Sequence, residues 1–245
     1  MLIRGGDTKI LLDVGISSVQ LQKRLSKFRL SISDLDAVFL THEHDDHSHS
    51  AHLTSRRFNI PIVANPKTLT ALTRKSALAR SITLDTGTSI NIGELIIESF
   101  PVLHDAVDPV GYNVLHGRHK VSLVTDTGVV GGSIARSVEG ADLVIIEANH
   151  DVEQLRGGPY PQSLKARVLS RVGHLSNEDA ASFVMEQVEE NRRLSTVWLA
   201  HLSGINNSPR MARRHVQRKL SEAKCRNVVL DVAQRSAVGP TWRAF

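Results

Sequence analysis

Short apolar runs alternate along this chain with stretches whose apolar residues recur at helical spacing. Residues 9–14, Lys-Ile-Leu-Leu-Asp-Val, predict a strand that stops at Gly15. Val19, Leu21, Leu25 and Phe28 fall roughly on one face of a helix over 19–28. Residues 37–40, Ala-Val-Phe-Leu, predict a strand, followed by a polar turn and a helix to Phe58. Further strands are expected over 60–64, 94–102, 111–115 and 120–125. Residues 142–147, with the unbroken apolar run 143–146, predict a strand buried on both faces. Ser176, followed by Glu178 and Asp179, opens a helix over 177–191 by capping its first turn. Ser208-Pro209 opens another over 209–223, with Ala212, Val216 and Leu220 on one face. Residues 196–200 form a strand between the two. Strands interleaved with helices predict an α/β chain. With no repeat, low-complexity tract or Pro/Gly/Ser linker, a single domain over 1–245 is expected.

Composition narrows the function classes. With 41% hydrophobic and 22% charged residues in 245, the chain resembles an ordinary globular protein able to bury a large core. No apolar N-terminal segment marks a signal peptide and no run is long enough to span a membrane. The single cysteine, Cys225, rules out an internal disulfide and fits a reducing cytoplasm. It sits among basic residues far from the histidines described below and is not expected to be a ligand. A net charge of +5 favours an anionic partner, nucleic acid first. Aromatics are 4% of residues, too few for stacking on successive bases, so contact with backbone phosphates is favoured over base reading.

The candidate chemistry concentrates in residues 41–47, Thr-His-Glu-His-Asp-Asp-His, delivered by the apolar run 37–40. Imidazole and carboxylate are ligands for hydrolytic metals such as zinc or manganese. His42 and His44 can face one ion while Asp46 and His47 face another; paired ions of this kind sit roughly 3.5–4 Å apart. Such a site needs further ligands held at strand ends. His104, Asp126 and His201 each follow a predicted strand.

The spacing His-x-His-x-Asp-His resembles the signature of the metallo-β-lactamase superfamily, and its place after a strand is the superfamily's. The resemblance implies an αββα sandwich, two mixed sheets between helices, and two divalent metal ions, Zn or Mn. It implies that His42, His44 and His104 bind one ion, that Asp46, His47 and His201 bind the other, and that Asp126, in Asp-Thr-Gly, bridges them. Asp13, in Leu-Leu-Asp-Val-Gly, matches the first superfamily motif and would orient a ligand imidazole.

A narrower resemblance comes from Glu147-Ala148-Asn149-His150-Asp151, Tyr160 to Lys165, Gly173-His174-Leu175-Ser176-Asn177 and His201-Leu202-Ser203 with Asn206-Asn207. These are similar to the YycJ/WalJ group of bacterial metal-dependent phosphodiesterases, which implies 5′→3′ exonuclease action on DNA by a hydroxide shared between the two ions. Group members usually begin with an extra strand before the equivalent of Lys9, so the first strand is expected to be either absent or shortened at the edge of the first sheet. Asp46 and His174 are the candidate catalytic residues, with His174 a phosphate contact or a proton donor to the leaving oxygen. Lys165, Ser176 and Asn177 are candidate phosphate contacts, and Asn149 and His150 are candidate supports behind the ligands. His49, His52, His116, His119 and His215 receive no role. The stretch 209–226 holds Arg210, Arg213, Arg214, Arg218, Lys219, Lys224 and Arg226 against Glu222 alone, either a solvated face or a phosphate-tracking one. Two alternatives to a DNA exonuclease remain. One is a small-ester hydrolase acting on a thioester or cyclic nucleotide, and the other a regulatory protein without turnover.

Overall fold

The computed structural model describes residues 1–224 and 228–244, so Cys225 and Arg226 lie outside the described residues. The architecture is α/β, with two mixed sheets and helices, as the sequence predicts. Contacts divide it into two compact units: residues 1–101 with 106–116, and residues 102–105 with 117–245. The backbone passes between units at 101/102, 105/106 and 116/117. None of these points is a Pro/Gly/Ser tract, which is why composition carries no sign of the division.

In the first unit, β1 (Leu2–Gly5) and β2 (Thr8–Leu12) form an antiparallel hairpin around Gly6, whose φ of 56° suits glycine. β1 is a strand that the apolar pattern does not announce. It occupies the edge of the sheet where the sequence predicted an absent or shortened strand. β3 (Ala37–Phe39), β4 (Ile62–Ala64) and β5 (Ser81–Thr83) extend the sheet in parallel, in the order β1-β2-β3-β4-β5. The helices are α1 (Ser18–Leu25), α2 (Asp45–Ser48), α3 (Ala51–Phe58) and α4 (Pro66–Lys75). The helix foreseen over 19–28 ends at Leu25 and tightens into a 3₁₀ turn over Ser26–Phe28. α4 starts on the same signal as the late helix at Ser208: Asn65 caps it and Pro66 follows. Leu11, Val38, Leu40, Ile62 and Leu72 anchor the core, with Leu21 and Leu25 of α1 packed into it. The strands β6 (Ser89–Ile92), β7 (Leu95–Pro101) and β8 (Val110–His116) pair antiparallel.

The second unit holds β9 (His119–Val124), α5 (Gly132–Val138), β10 (Leu143–Glu147), α6 (Val152–Gly157), α7 (Gln162–Val168), α8 (Asn177–Glu190), β11 (Thr196–Ala200), α9 (Pro209–Glu222) and β12 (Val229–Val232). These strands are all parallel, in the order β12-β11-β10-β9, and Ile145 lies opposite both Leu123 and Trp198. β10 is buried along its whole length, as its unbroken apolar run predicts. Parallel strands end on one edge, so the residues after β9, at the end of β10 and after β11 gather there. Open α/β sheets bind ligands at that edge. No helix among the described residues is long and apolar enough to cross a membrane.

Candidate metal centre

In the first unit the ends of β2 and β3 lie side by side in register, Leu12 against Phe39. The next residue after β2 is Asp13, at φ 60°, a left-handed conformation that Asp adopts more readily than most residues. It lets Asp13 N donate to Phe39 O at 2.8 Å and turns the carboxylate toward β3's exit. Asp13 Oδ1 accepts from Thr41 N at 2.8 Å, and Oδ2 accepts from His47 Nδ1 at 2.8 Å. A carboxylate can only accept, so His47 Nδ1 carries the proton and its Nε2 keeps a lone pair for a metal. Burial works to raise the Asp13 pKa, but the His47 ring and the Thr41 amide outweigh it and leave it below the ordinary value.

His42 and His44 approach with Nε2 and Nδ1 3.0 Å apart and rings nearly perpendicular. The His42 and His47 rings lie 4.3 Å apart, centre to centre. Asp46, on α2, is exposed, with Oδ2 3.8 Å from His47 Nε2. Val14 N donates to His47 O at 2.7 Å and Ser50 N to Val14 O at 3.0 Å, so the chain leaving β2 clasps α2. A Cβ at Gly15 would collide with the backbone carbonyl of Asp46 and the amide nitrogen of His47, so glycine is required for this approach.

The second unit builds a cluster at the carboxyl edge of its sheet. Glu147, the last residue of β10, is fully buried. Its Oε1 accepts from His174 Nδ1 and His201 Nδ1, both at 2.8 Å. Its Oε2 accepts from Thr127 N at 3.0 Å and Leu175 N at 3.4 Å. Burial pushes the Glu147 pKa up, but these two histidines outweigh it and hold the carboxyl below its ordinary value. For His174, burial lowers the pKa and the Glu147 carboxylate more than reverses that, leaving it raised. Asp126 (φ 55°) and His201 (φ 54°) stand in the left-handed region just past their strands, as Asp13 does. Non-glycine residues held there cost of order 1–3 kcal/mol each. Asp126 Oδ1 lies 3.4 Å from His201 Nδ1 and 3.7 Å from both His174 Nδ1 and His104 Nε2. The His104 ring is anchored through Nδ1 to Gly173 O at 3.1 Å, and burial pushes its pKa down.

These residues fit divalent ions. His47, His104 and His201 each have Nδ1 committed to an oxygen acceptor, which leaves Nε2 basic. Asp126, Glu147, His174 and His201 each offer a potential ligand atom, and these atoms all lie within 4.8 Å of one another. The donor set is imidazole and carboxylate with no sulfur, which suits either zinc or manganese.

Of the expected residues, the structure brings His42, His44 and His47 together with Asp13 in one unit, and His104, Asp126, His174 and His201 in the other. Others make contacts within the second unit. Lys165 is buried and donates its Nζ to Arg156 O at 2.7 Å. Ser176 caps α8, accepting from Asp179 N at 3.1 Å. Asn177 pairs its amide with that of Asn207, which also donates to Ala148 O at 2.8 Å and Asn149 O at 3.1 Å. Asn149 donates to His201 O at 2.9 Å and so braces the backbone of His201. The His150 ring is buried without a hydrogen-bond partner among the described residues; its backbone pairs with Ser176 and Asn177. Sequence reasoning missed Glu147. Its one signal was an acid closing an otherwise apolar buried strand. His215, given no role, lies 3.2 Å from both Asp151 and Glu178 and ties α9 to the cap of α6 and the first turn of α8.

Residues 8–196 match the family described as "Beta-lactamase superfamily domain". The chain is 36% identical over 226 residues to "Exodeoxyribonuclease YycJ" of Bacillus anthracis, covering 91% of this chain and 85% of the relative. It is 38% identical over 220 residues to "Exodeoxyribonuclease WalJ" of Streptococcus pneumoniae serotype 2 (strain D39 / NCTC 7466), covering 88% and 81%. Among solved structures, the metallo-β-lactamase fold protein YhfI from Bacillus subtilis is similar in fold, at 21% identity and a TM-score of 0.74, covering 98% of this chain and 89% of that one. By its family match, its relatives and its His/carboxylate clusters, the chain belongs to the β-lactamase superfamily, with the metallo-β-lactamase fold, as a metal-dependent hydrolase.

Proposed function

We propose that this protein hydrolyses phosphodiester bonds of DNA from an end, in the 5′→3′ direction, with two divalent ions, Zn or Mn. His42, His44 and His104 would serve one ion, Asp46, His47 and His201 the other, and Asp126 both. The observation that carries this reading is the similarity, over about nine-tenths of the chain, to relatives named as exodeoxyribonucleases. The net charge of +5 supports a polyanionic substrate.

Bound divalent ions lower the pKa of water to roughly 7 and neutralise charge on phosphoryl oxygens. The chain's residues do the remainder. Asp13 and Glu147 fix imidazole orientation through Nδ1, so that no reorganisation is needed at reaction. With Nδ1 committed to Glu147, His174 has Nε2 left to face a phosphate oxygen, and its raised pKa favours the protonated ring that can donate to the leaving oxygen. Asn149, Asn177 and Asn207 hold the loops bearing His174 and His201.

The test is digestion of end-labelled linear DNA beside a closed circle, with added manganese and with a chromogenic phosphodiester and a thioester as controls. The expected result is progressive shortening from the 5′ end and an intact circle. Rapid thioester cleavage with no effect on linear DNA would overturn the substrate and point to small-ester hydrolysis. No turnover of any substrate by metal-loaded protein would point to a regulatory role.

A further inference from the structure

α9 carries its arginines on one side. Ala212, Val216 and Leu220 are buried, while Arg210, Arg213, Arg214, Gln217, Arg218 and Ser221 are exposed and line one shallow depression. Arg210 and Arg214 have no acidic partner among the described residues. Arg213 is 3.7 Å from Asp231 and Arg218 3.9 Å from Glu222, both loose and solvent-exposed. Pairs of that kind contribute about 0–1 kcal/mol and are readily exchanged for another anion. Positions 210, 213, 214 and 218 follow helical spacing. They cover roughly 12 Å along the axis, about the rise of three to four phosphates on one strand of a duplex.

We propose that this face of α9 is a docking surface for the phosphate backbone of a nucleic acid, outside the metal ligands; the choice of nucleic acid rests on the function proposed above. Two features favour that occupant. The guanidinium fork matches phosphate oxygens two at a time, and four of the five basic residues of α9 are arginine. The exposed face also has no aromatic or large apolar residue. It therefore lacks both a stacking platform for bases and the apolar anchor that a protein partner would need. The apolar side of α9 is occupied by its own unit, so the helix has nothing to insert into a lipid surface. Contact here is to backbone, independent of base sequence.

The test uses metal-loaded full-length protein and a triple variant, R210A/R214A/R218A, with R210K/R214K/R218K as the charge-retaining partner. Binding to a short fluorescent duplex with nuclease-resistant phosphorothioate linkages is measured between about 50 and 200 mM salt, and turnover of a chromogenic phosphodiester in parallel. The alanine variant is expected to bind more weakly, with its log–log salt slope flattened by about 2–3. Chromogenic turnover should stay at the parent level, and the lysine variant should recover most of the slope. Unchanged affinity and slope in a parent that degrades DNA would overturn the docking surface and leave the proposed function standing. A parent that binds no nucleic acid would overturn both. Loss of binding to phosphatidylserine vesicles or to a polyglutamate peptide, with DNA binding intact, would assign the face to another partner and overturn the proposal.

Discussion

The two units present their candidate ligands in opposite ways. In the first, His42, His44, Asp46 and His47 are neighbours in the chain, and one carboxylate, Asp13, orients one ring. In the second, His104, Asp126, His174 and His201 are separated by tens of residues. One wholly buried carboxylate, Glu147, orients two rings and receives two backbone amides. The first cluster is local chemistry on a turn that a glycine allows to pack closely. The second is assembled where parallel β9, β10 and β11 end together, with His104 and His174 contributed by other segments. A contiguous cluster depends on turn geometry and an assembled one on a buried charge, so the two should fail differently when perturbed.

The largest expected effect is at Asp126. Replacing it by alanine removes the carboxylate proposed to serve both ions, so turnover should fall about 10³-fold or more, roughly 4 kcal/mol of transition-state stabilisation. The melting curve of the metal-free protein should change little. Near-parental turnover of the purified variant would exclude a bridging role. Metal analysis sharpens the same point: the parent should approach two ions per chain, and chelation should lower its melting temperature until metal is restored. A protein saturating at one ion would overturn the two-ion assignment.

Next come the two orienting carboxylates. Glu147→Gln and Asp13→Asn should each weaken metal affinity by about 10–100-fold, with Glu147 at the upper end because it holds two imidazoles rather than one. Glu147→Gln should also lower the melting temperature of metal-free protein more than Asp13→Asn, since a fully buried carboxylate is linked to four donors. Competition with a chromogenic chelator gives the first number and thermal unfolding the second. Equal losses in both would remove the distinction between the clusters.

Gly15→Ala is expected to cost about 1–3 kcal/mol, because the added methyl must displace the α2 backbone at Asp46 and His47. Its effect should fall on metal content as well as stability. An alanine variant with full metal content and parental stability would show that the close approach is dispensable.

The smallest effect is an acid one. Burial holds His52, on α3 in the first unit, below its ordinary pKa of 6.5, so it is neutral when folded and takes up a proton on unfolding just below that pH. The unfolded state then binds more protons, and stability falls as pH drops from 6.5 through the folded value. His52→Asn should flatten that fall slightly in urea midpoints compared with the parent, and an identical pH slope would rule out the contribution.

Much of the frame was legible from local pattern. The strand 196–200 and the start at Pro209 match the structure because an apolar β run and a Ser-Pro cap are complete signals within a few residues. β1, β5, β6 and β12 were not legible, since short edge strands bury little and need carry no apolar run. α6 and α7 were missed although Asp151 caps α6, because the apolar stripe of so short a helix is one or two residues wide.

The sequence alone determined the residue types at the candidate centre. Residues 41–47 hold candidate ligands at a spacing that few other functions require, and His104, Asp126 and His201 each sit just past a strand. Ligand identity is a property of side chains, and side chains are what a sequence states. Only the tertiary structure decided what stands behind them. Glu147 reads in the sequence as the last residue of a buried strand. It becomes the shared anchor of His174 and His201 because parallel pairing brings β10's end beside that of β11, and the loop before α8 returns over it. Likewise the bonds from Asp179 N to Ser176, between Asn177 and Asn207, and from Lys165 to Arg156 O are not readable in the sequence. A donor's partner is settled by distance in space, which local pattern does not encode.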